Sequence, residues 1–245
     1  MKNNVVARQA HHPEQSRRAE LKKTLIDACR ILSHEELGRG FGHVSARVPG
    51  TDLFLLTPRV SLALVKEKEL LMLNLQGKVV EGKSTPPSEA ALHAAVFKRR
   101  ADVQAIARIH ARKANYFSVT DRKIEPVHNH GSFFHGGVPL FSQTPLISTL
   151  ELGAEVAETL GPNPAVLLRG NGQVTVGRTI PEAVMMAIYL EEAADMLYGA
   201  LQIGAPVFLG AEEYGLTKTE TLTPVDLERA WNYYKSRLGK NRYLR

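Results

Sequence analysis

The sequence predicts an α/β protein: a single-domain α/β/α sandwich whose mixed, mostly antiparallel central sheet is covered by helices. Three observations lead there. Short apolar runs of strand length recur between residues 41 and 176. Longer stretches with apolar residues at helical spacing are interspersed among them. In the first half the strands are joined by tight turn signals, Pro49-Gly50 and Gln76-Gly77, which make neighbours antiparallel.

Residues 1–15 are polar and unpatterned and read as a mobile arm, leaving 16–245 as the domain. A helix is expected over 16–36, with Leu21, Leu25, Ala28, Ile31 and Leu32 on one face and Gly38-Arg39-Gly40 ending it. Residues 41–47 and 52–56 form a hairpin, a short helix covers Ser61 to Val65, and 70–75 with 78–80 form a second hairpin. Ser88 and Glu89 open a helix closed by Lys98-Arg99-Arg100. A strand then runs from Val103 to Ile109 and delivers His110 to its end. Lys113 to Val119 reads as a helix, Pro126 to His130 as extended, and 131–146, rich in Gly, Phe, Ser and Pro, as a long ordered loop. A helix from Ser148 to Leu160, strands at 165–168 and 173–176, a helix started by Thr179-Ile180-Pro181-Glu182, and a last helix after Thr223-Pro224 complete the chain.

With 245 residues, 44% hydrophobic and 23% charged, the chain can bury a substantial core. Its one cysteine, Cys29, lies in an apolar helical phrase, so no intrachain disulfide is available and a reducing, cytoplasmic setting is expected. No apolar run approaches the ~18 residues of a membrane span, and no signal peptide is expected. The net charge of +6 sits at the ends: residues 1–23 carry +4 and 235–245 carry +5, leaving the middle at −3. Solvated basic ends without a helix-turn-helix, zinc-finger or aromatic-basic pattern argue against nucleic acid.

The stretch Pro86 to Arg112 carries the chemistry. A carboxylate, Glu89, at the start of one element and an imidazole, His110, at the end of the next make half of a metal or acid/base site. The pattern resembles the class II aldolase/adducin family over roughly residues 20–203. In that family a Pro-Ser-(Ser)-Glu helix start, a His-x-His after the next strand and a late His-Gly turn supply metal ligands. Here the corresponding phrases are Pro87-Ser88-Glu89, His110-Ala111-Arg112 and Arg169-Gly170-Asn171-Gly172. Two of the three family histidines are replaced, so a divalent metal remains possible but its ligand set is incomplete. The resemblance also implies a homotetramer with sites at subunit interfaces.

His110 is a candidate catalytic residue and metal ligand, although a histidine there can also serve only to bond backbone. Glu89 is a candidate acid/base or ligand, or a first-turn carboxylate favoured by the helix dipole. Arg112 has no lone pair to give a metal; its natural work is to clamp a carboxylate, and otherwise it is a solvated surface residue. Asn171 is a weak ligand or a substrate contact, or only a turn residue. His128 and His130, two apart, could supply substitute imidazoles, with His128 reaching a neighbouring subunit's site as the resemblance implies; His135 is a weaker candidate. His93, inside an apolar helix, reads as a satisfied, partly buried histidine.

In the family's sugar-phosphate aldolases, loops of Gly-Asn-x-Ser and Thr-Gly type hold phosphate. This chain has Gly42-His43-Val44-Ser45 and Thr57-Pro58-Arg59, resembling the branch that decarboxylates hydroxylated aromatic or dienoic acids. His43, Ser45, Arg59 and Ser88 are therefore the expected substrate contacts, with Arg59 or His43 clamping a planar carboxylate. The expected function is a lyase that decarboxylates a small hydroxylated aromatic or ring-cleaved dicarboxylic acid. Arg112 and His110, or a weaker cation held by Glu89, His110 and His128, would stabilise charge, with Glu89 or a histidine as proton donor. The alternatives are an aldolase- or isomerase-type lyase on a sugar-like substrate and a non-catalytic, adducin-like binding subunit.

Overall fold

The computed structural model describes residues 12–220 and 223–239. Its elements are helix α1 (His12–His34), strands β1 (His43–Arg47), β2 (Leu53–Leu56), β3 (Leu71–Asn74) and β4 (Val79–Glu81), helix α2 (Ala90–Arg99) and strand β5 (Ala105–Ile109). There follow α3 (Arg112–Phe117), β6 (Leu140–Phe141), α4 (Leu150–Leu160), β7 (Ala165–Leu168), β8 (Gln173–Gly177), α5 (Ile180–Ile203), α6 (Ala211–Glu220) and α7 (Pro224–Arg237). The eight strands form one sheet in the order β4-β3-β2-β1-β5-β8-β7-β6. Every pair is antiparallel except β6 with β7, which makes the sheet mixed and mostly antiparallel as predicted.

The alternation of side chains along the strands builds two cores. On one face Val44, Ala46, Ala105, Ala107 and Ile109 pack with Leu25, Ile31 and Leu32 of α1 and with Met185, Ile188 and Leu197 of α5. On the other, Phe54, Leu56, Ile106 and Val174 pack with Leu92, Val96 and Phe97 of α2 and Val156 and Leu160 of α4. Thr179 caps α5 by accepting from the backbone N–H of Glu182 (3.1 Å), while the Glu182 carboxylate accepts from the Arg178 N–H (2.9 Å) rather than from Thr179, so only half of the expected capping box forms. Cys29 is fully buried, and burial pushes its thiol up to about 12. Among the described residues no helix is long and apolar enough to cross a membrane.

Four details differ from expectation. Helix α1 begins at His12, inside the expected arm, whose residues 1–11 lie outside the described part. The segment expected to be extended at 126–130 turns instead into a short 3-10 helix, Asn129–Phe134. The long loop contains β6, held on the sheet by main-chain bonds to β7 rather than by any pattern of its own. Residues 211–220, for which no element is expected, form α6, where Tyr214 stacks on His135 at 3.6 Å between ring centroids.

Candidate active site

Sheet register places the first polar side chains. In the β1–β5 pair His43 stands opposite Arg108 and Ser45 opposite Ile106, so His43, Ser45 and Arg108 project on the face covered by α2. Glu89 is the N-cap residue of α2, yet its side chain makes no capping bond and turns to this cluster. His93 follows four residues later on the same side of the helix.

These groups form one bonded chain. Ser45 Oγ lies 2.6 Å from His93 Nδ1, His93 Nε2 lies 2.6 Å from His43 Nδ1, and His43 Nε2 lies 3.3 Å from Glu89 Oε2. A carboxylate can only accept, so with neutral imidazoles the donors run one way: Ser45 to His93, His93 to His43, His43 to Glu89. From the other side Arg108 Nε lies 3.0 Å from Glu89 Oε2 as an ion pair, and Nη2 donates to Oε1 at 3.3 Å. Arg108 Nη1 also lies 2.7 Å from His110 Nε2 and donates to the Ile109 carbonyl at 3.1 Å.

The charges follow from these contacts. Burial alone would push the Glu89 carboxyl up, but the His43 bond and the Arg108 charge outweigh it and hold it at about 2. Burial and then Arg108 push His110 down to about 4. Burial lowers His43, and burial with the neighbouring His43 and Arg108 charges lowers His93 well below its usual value. At neutral pH the cluster is one carboxylate, one guanidinium and three neutral imidazoles. Glu89 is therefore ionised at rest and would have to take up a proton before it could deliver one.

Glu89, His43 and His110 line a cavity of about 370 Å³ with Ser88, Arg59, Ser61 and the apolar Phe41, Pro58, Val60, Pro87 and Leu146. Ser45 is fully buried behind His93 and does not reach it. Arg112 is exposed and lines a second cavity with Arg39, Asn115 and Tyr116; Phe41 and His110 border both. Asn171 lines neither and occupies the turn between β7 and β8. Beside it, Gly172 has φ +81°, and a Cβ there would meet the Ile109 carbonyl oxygen at 2.2 Å, so the turn closes on the end of β5 only with glycine.

His128 joins neither cavity; it groups with His130 and Glu192 of α5, their ligand atoms all within 4.8 Å of one another. His130 Nδ1 is 2.9 Å from Glu192 Oε2, Tyr234 donates to Glu192 Oε1 at 3.2 Å, and Tyr189 stacks on the His130 ring. Two imidazoles and a carboxylate are a set that can hold a divalent ion. The ligand set implied for the other site fits such an ion poorly. Glu89 and His110 Nε2 already share one guanidinium, Arg112 has no lone pair, and Asn171 lies outside the cavity.

Arg108 and His93 are what sequence reasoning missed. Arg108 is 1% exposed in the middle of a buried strand, and an arginine inside an apolar run already signals a buried counter-charge. His93 is fully buried, not partly, and its helix spacing from Glu89 was the available signal.

A sequence profile described as Class II Aldolase and Adducin N-terminal domain matches residues 23–198. The chain belongs to this family. Among relatives of this class II aldolase-family protein, 3,4-dihydroxyphthalate decarboxylase of Terrabacter sp. (strain DBF63) is 28% identical, covering 89% of this chain and 97% of the relative. The 5-methylthioribulose-1-phosphate/5-deoxyribulose-1-phosphate aldolase of Rhodospirillum rubrum is 27% identical over 80% of this chain and 88% of its own. L-fuculose 1-phosphate aldolase from Glaciozyma antarctica PI12 superposes with a TM-score of 0.82 at 24% identity, covering 94% and 92% of the two chains, which supports the fold. The family thus contains carbon–carbon lyases of both decarboxylase and aldolase type.

Proposed function

We propose that this protein is a decarboxylase of a small hydroxylated aromatic or ring-cleaved dicarboxylic acid. The observation that carries the reading is the composition of the first cavity: Arg59 and apolar side chains from Phe41, Val60 and Leu146, with the ionised Glu89 and neutral His43 and His110 among its lining. Its volume suits a single ring, and an arginine beside apolar walls recognises a planar carboxylate better than a hydrated sugar phosphate. The similarity to 3,4-dihydroxyphthalate decarboxylases supports the same choice.

For a carboxylate beside a ring hydroxyl, Glu89 takes the hydroxyl proton and returns it to the ring carbon bearing the carboxylate. The carbon–carbon bond then breaks, carbon dioxide leaves, and the electron pair settles on the neighbouring oxygen as a phenolate, which one solvent proton neutralises. A carboxyl held at about 2 gives up a captured proton readily, so Glu89 suits the delivery step. His110, whose Nε2 accepts from Arg108, keeps Nδ1–H as a donor for the developing oxyanion. A homotetramer with sites at subunit interfaces belongs to this proposal, and light scattering on the purified chain checks it.

The deciding experiment is a thermal-shift series followed by product analysis. An aromatic dicarboxylic acid with adjacent hydroxyls is expected to raise Tm more than its monocarboxylic analogue or a sugar phosphate, and to release carbon dioxide. Equal shifts for all three, or aldol cleavage of a sugar phosphate, would remove the reading.

A further inference from the structure

Most of the buried polar side chains near the first cavity bond to one another, and a single group links its two chemically different members. The guanidinium of Arg108 contacts the Glu89 carboxylate through Nε and Nη2 and the His110 imidazole through Nη1. It is 1% exposed and does not itself line the cavity. Its position leaves no slack: Nη1 also bonds the Ile109 carbonyl, and a Cβ on Gly172 would come within 3.1 Å of it.

We propose that the Arg108 guanidinium is the fixed cation of this site, occupying the space between the Glu89 carboxylate and His110 Nε2 and keeping a divalent ion from bridging them. A divalent ion needs a lone pair from each ligand at about 2.0–2.2 Å. The His110 Nε2 lone pair is already directed at Arg108 at 2.7 Å, and both Glu89 oxygens face the same guanidinium. A bridging ion would have to displace a buried, permanently charged group that has nowhere solvated to go.

Two consequences distinguish this role from mere packing. His110 is fixed with its proton on Nδ1. Removing the guanidinium while keeping Glu89 leaves His43, Glu89 and His110 as two imidazoles and a carboxylate around the vacated space, a ligand set for zinc or cobalt. Arg108 is thus a positioning residue, acting on any substrate through Glu89 and His110. The inference does not depend on which acid, if any, the protein decarboxylates.

The test uses the full chain carrying His130→Ala and Glu192→Gln, so that the group formed by His128, His130 and Glu192 cannot contribute. Cobalt(II) is titrated into this background with and without Arg108→Met, reading visible ligand-field absorbance, bound ion per chain and Tm. The expected result is no uptake with Arg108 present. With Arg108→Met, about one ion is bound, Tm rises on cobalt addition, and both effects are lost on adding Glu89→Gln or His110→Ala. Uptake that depends on Glu89 or His110 while Arg108 is present would overturn the proposal, as would a folded Arg108→Met protein that takes up nothing. Should Arg108→Met fail to fold, nitrogen-15 spectra of the unmodified protein decide: a non-protonated His110 Nε2 with Nδ1–H supports the proposal, and an Nε2–H or metal-bound Nε2 sinks it.

Discussion

His93 Nε2 lies 2.6 Å from His43 Nδ1, and this contact settles which nitrogen of His43 turns to Glu89. A helix residue that never reaches the cavity thereby sets the orientation of a cavity wall. Replacing His93 by Leu leaves Ser45 Oγ and His43 Nδ1 buried without partners. A loss of stability of about 1–3 kcal/mol is expected, measured by urea unfolding, together with reduced turnover. An unchanged midpoint would show that the chain of bonds carries no stability.

Glu89 and His110 are expected to act on one transition state, tied through the same guanidinium. Glu89→Gln and His110→Ala should each lower turnover by roughly two orders of magnitude, and the double variant should lose far less than the product. Multiplicative losses would mean two independent jobs, and losses within a few-fold would move the active site elsewhere.

Arg59 is exposed at the cavity wall and holds no ion pair among the described residues. Arg59→Ala should therefore leave Tm nearly unchanged and raise KM for a dicarboxylic substrate about ten-fold or more, with a smaller effect on a monocarboxylic one. Equal effects on both would show that Arg59 does not read the second carboxylate.

Acid should weaken the fold earlier than its carboxylates alone would predict. His43, His93 and His110 are all held below 6.5 in the folded protein, His110 at about 4, so the unfolded chain binds more protons between these limits. Stability then rises with pH in that window and falls on acidification, with a slope approaching ~1.4 kcal/mol per pH unit for each fully buried imidazole. The Glu89 contribution is present above its unfolded value of 4.5 and goes only as pH falls through about 2. Chemical unfolding at pH 7.5, 6 and 5 checks this; a flat profile, or one unaffected by His93→Leu, would contradict it.

Zinc added to the unmodified protein should go to His128, His130 and Glu192. Uptake by elemental analysis is expected to fall with His130→Ala or Glu192→Gln and to be indifferent to Glu89→Gln. The reverse dependence would place the ion in the first cavity.

The sequence made the strands, the hairpins and the Glu89–His110 relation readable because each rests on local signals: a period, a turn dipeptide, a capping residue. It hid β6, whose two residues are strand only because Arg169 and Leu167 donate main-chain bonds to Phe141 and Pro139. It left α6 unread because its apolar residues form no clear stripe. In the site, the carboxylate and imidazole were visible as a spacing, whereas Arg108 needed the β1–β5 register to put it opposite His43. Arg112 drew attention by its place in a motif, yet the short helix it begins turns it toward a neighbouring cavity.

That register has a consequence for how such a protein can change. His43 and Arg108 are cross-strand partners in the middle of an eight-stranded sheet, and slipping either strand by one residue would turn its own member of the pair to the opposite core and break the cluster. The walls around them, Phe41, residues 58–61 and Leu146, hang on connecting segments outside the strands. Insertions and substitutions there can resize the opening while the charged centre stays put, so new substrate preferences are open to this chain through its rim alone, at little risk to folding.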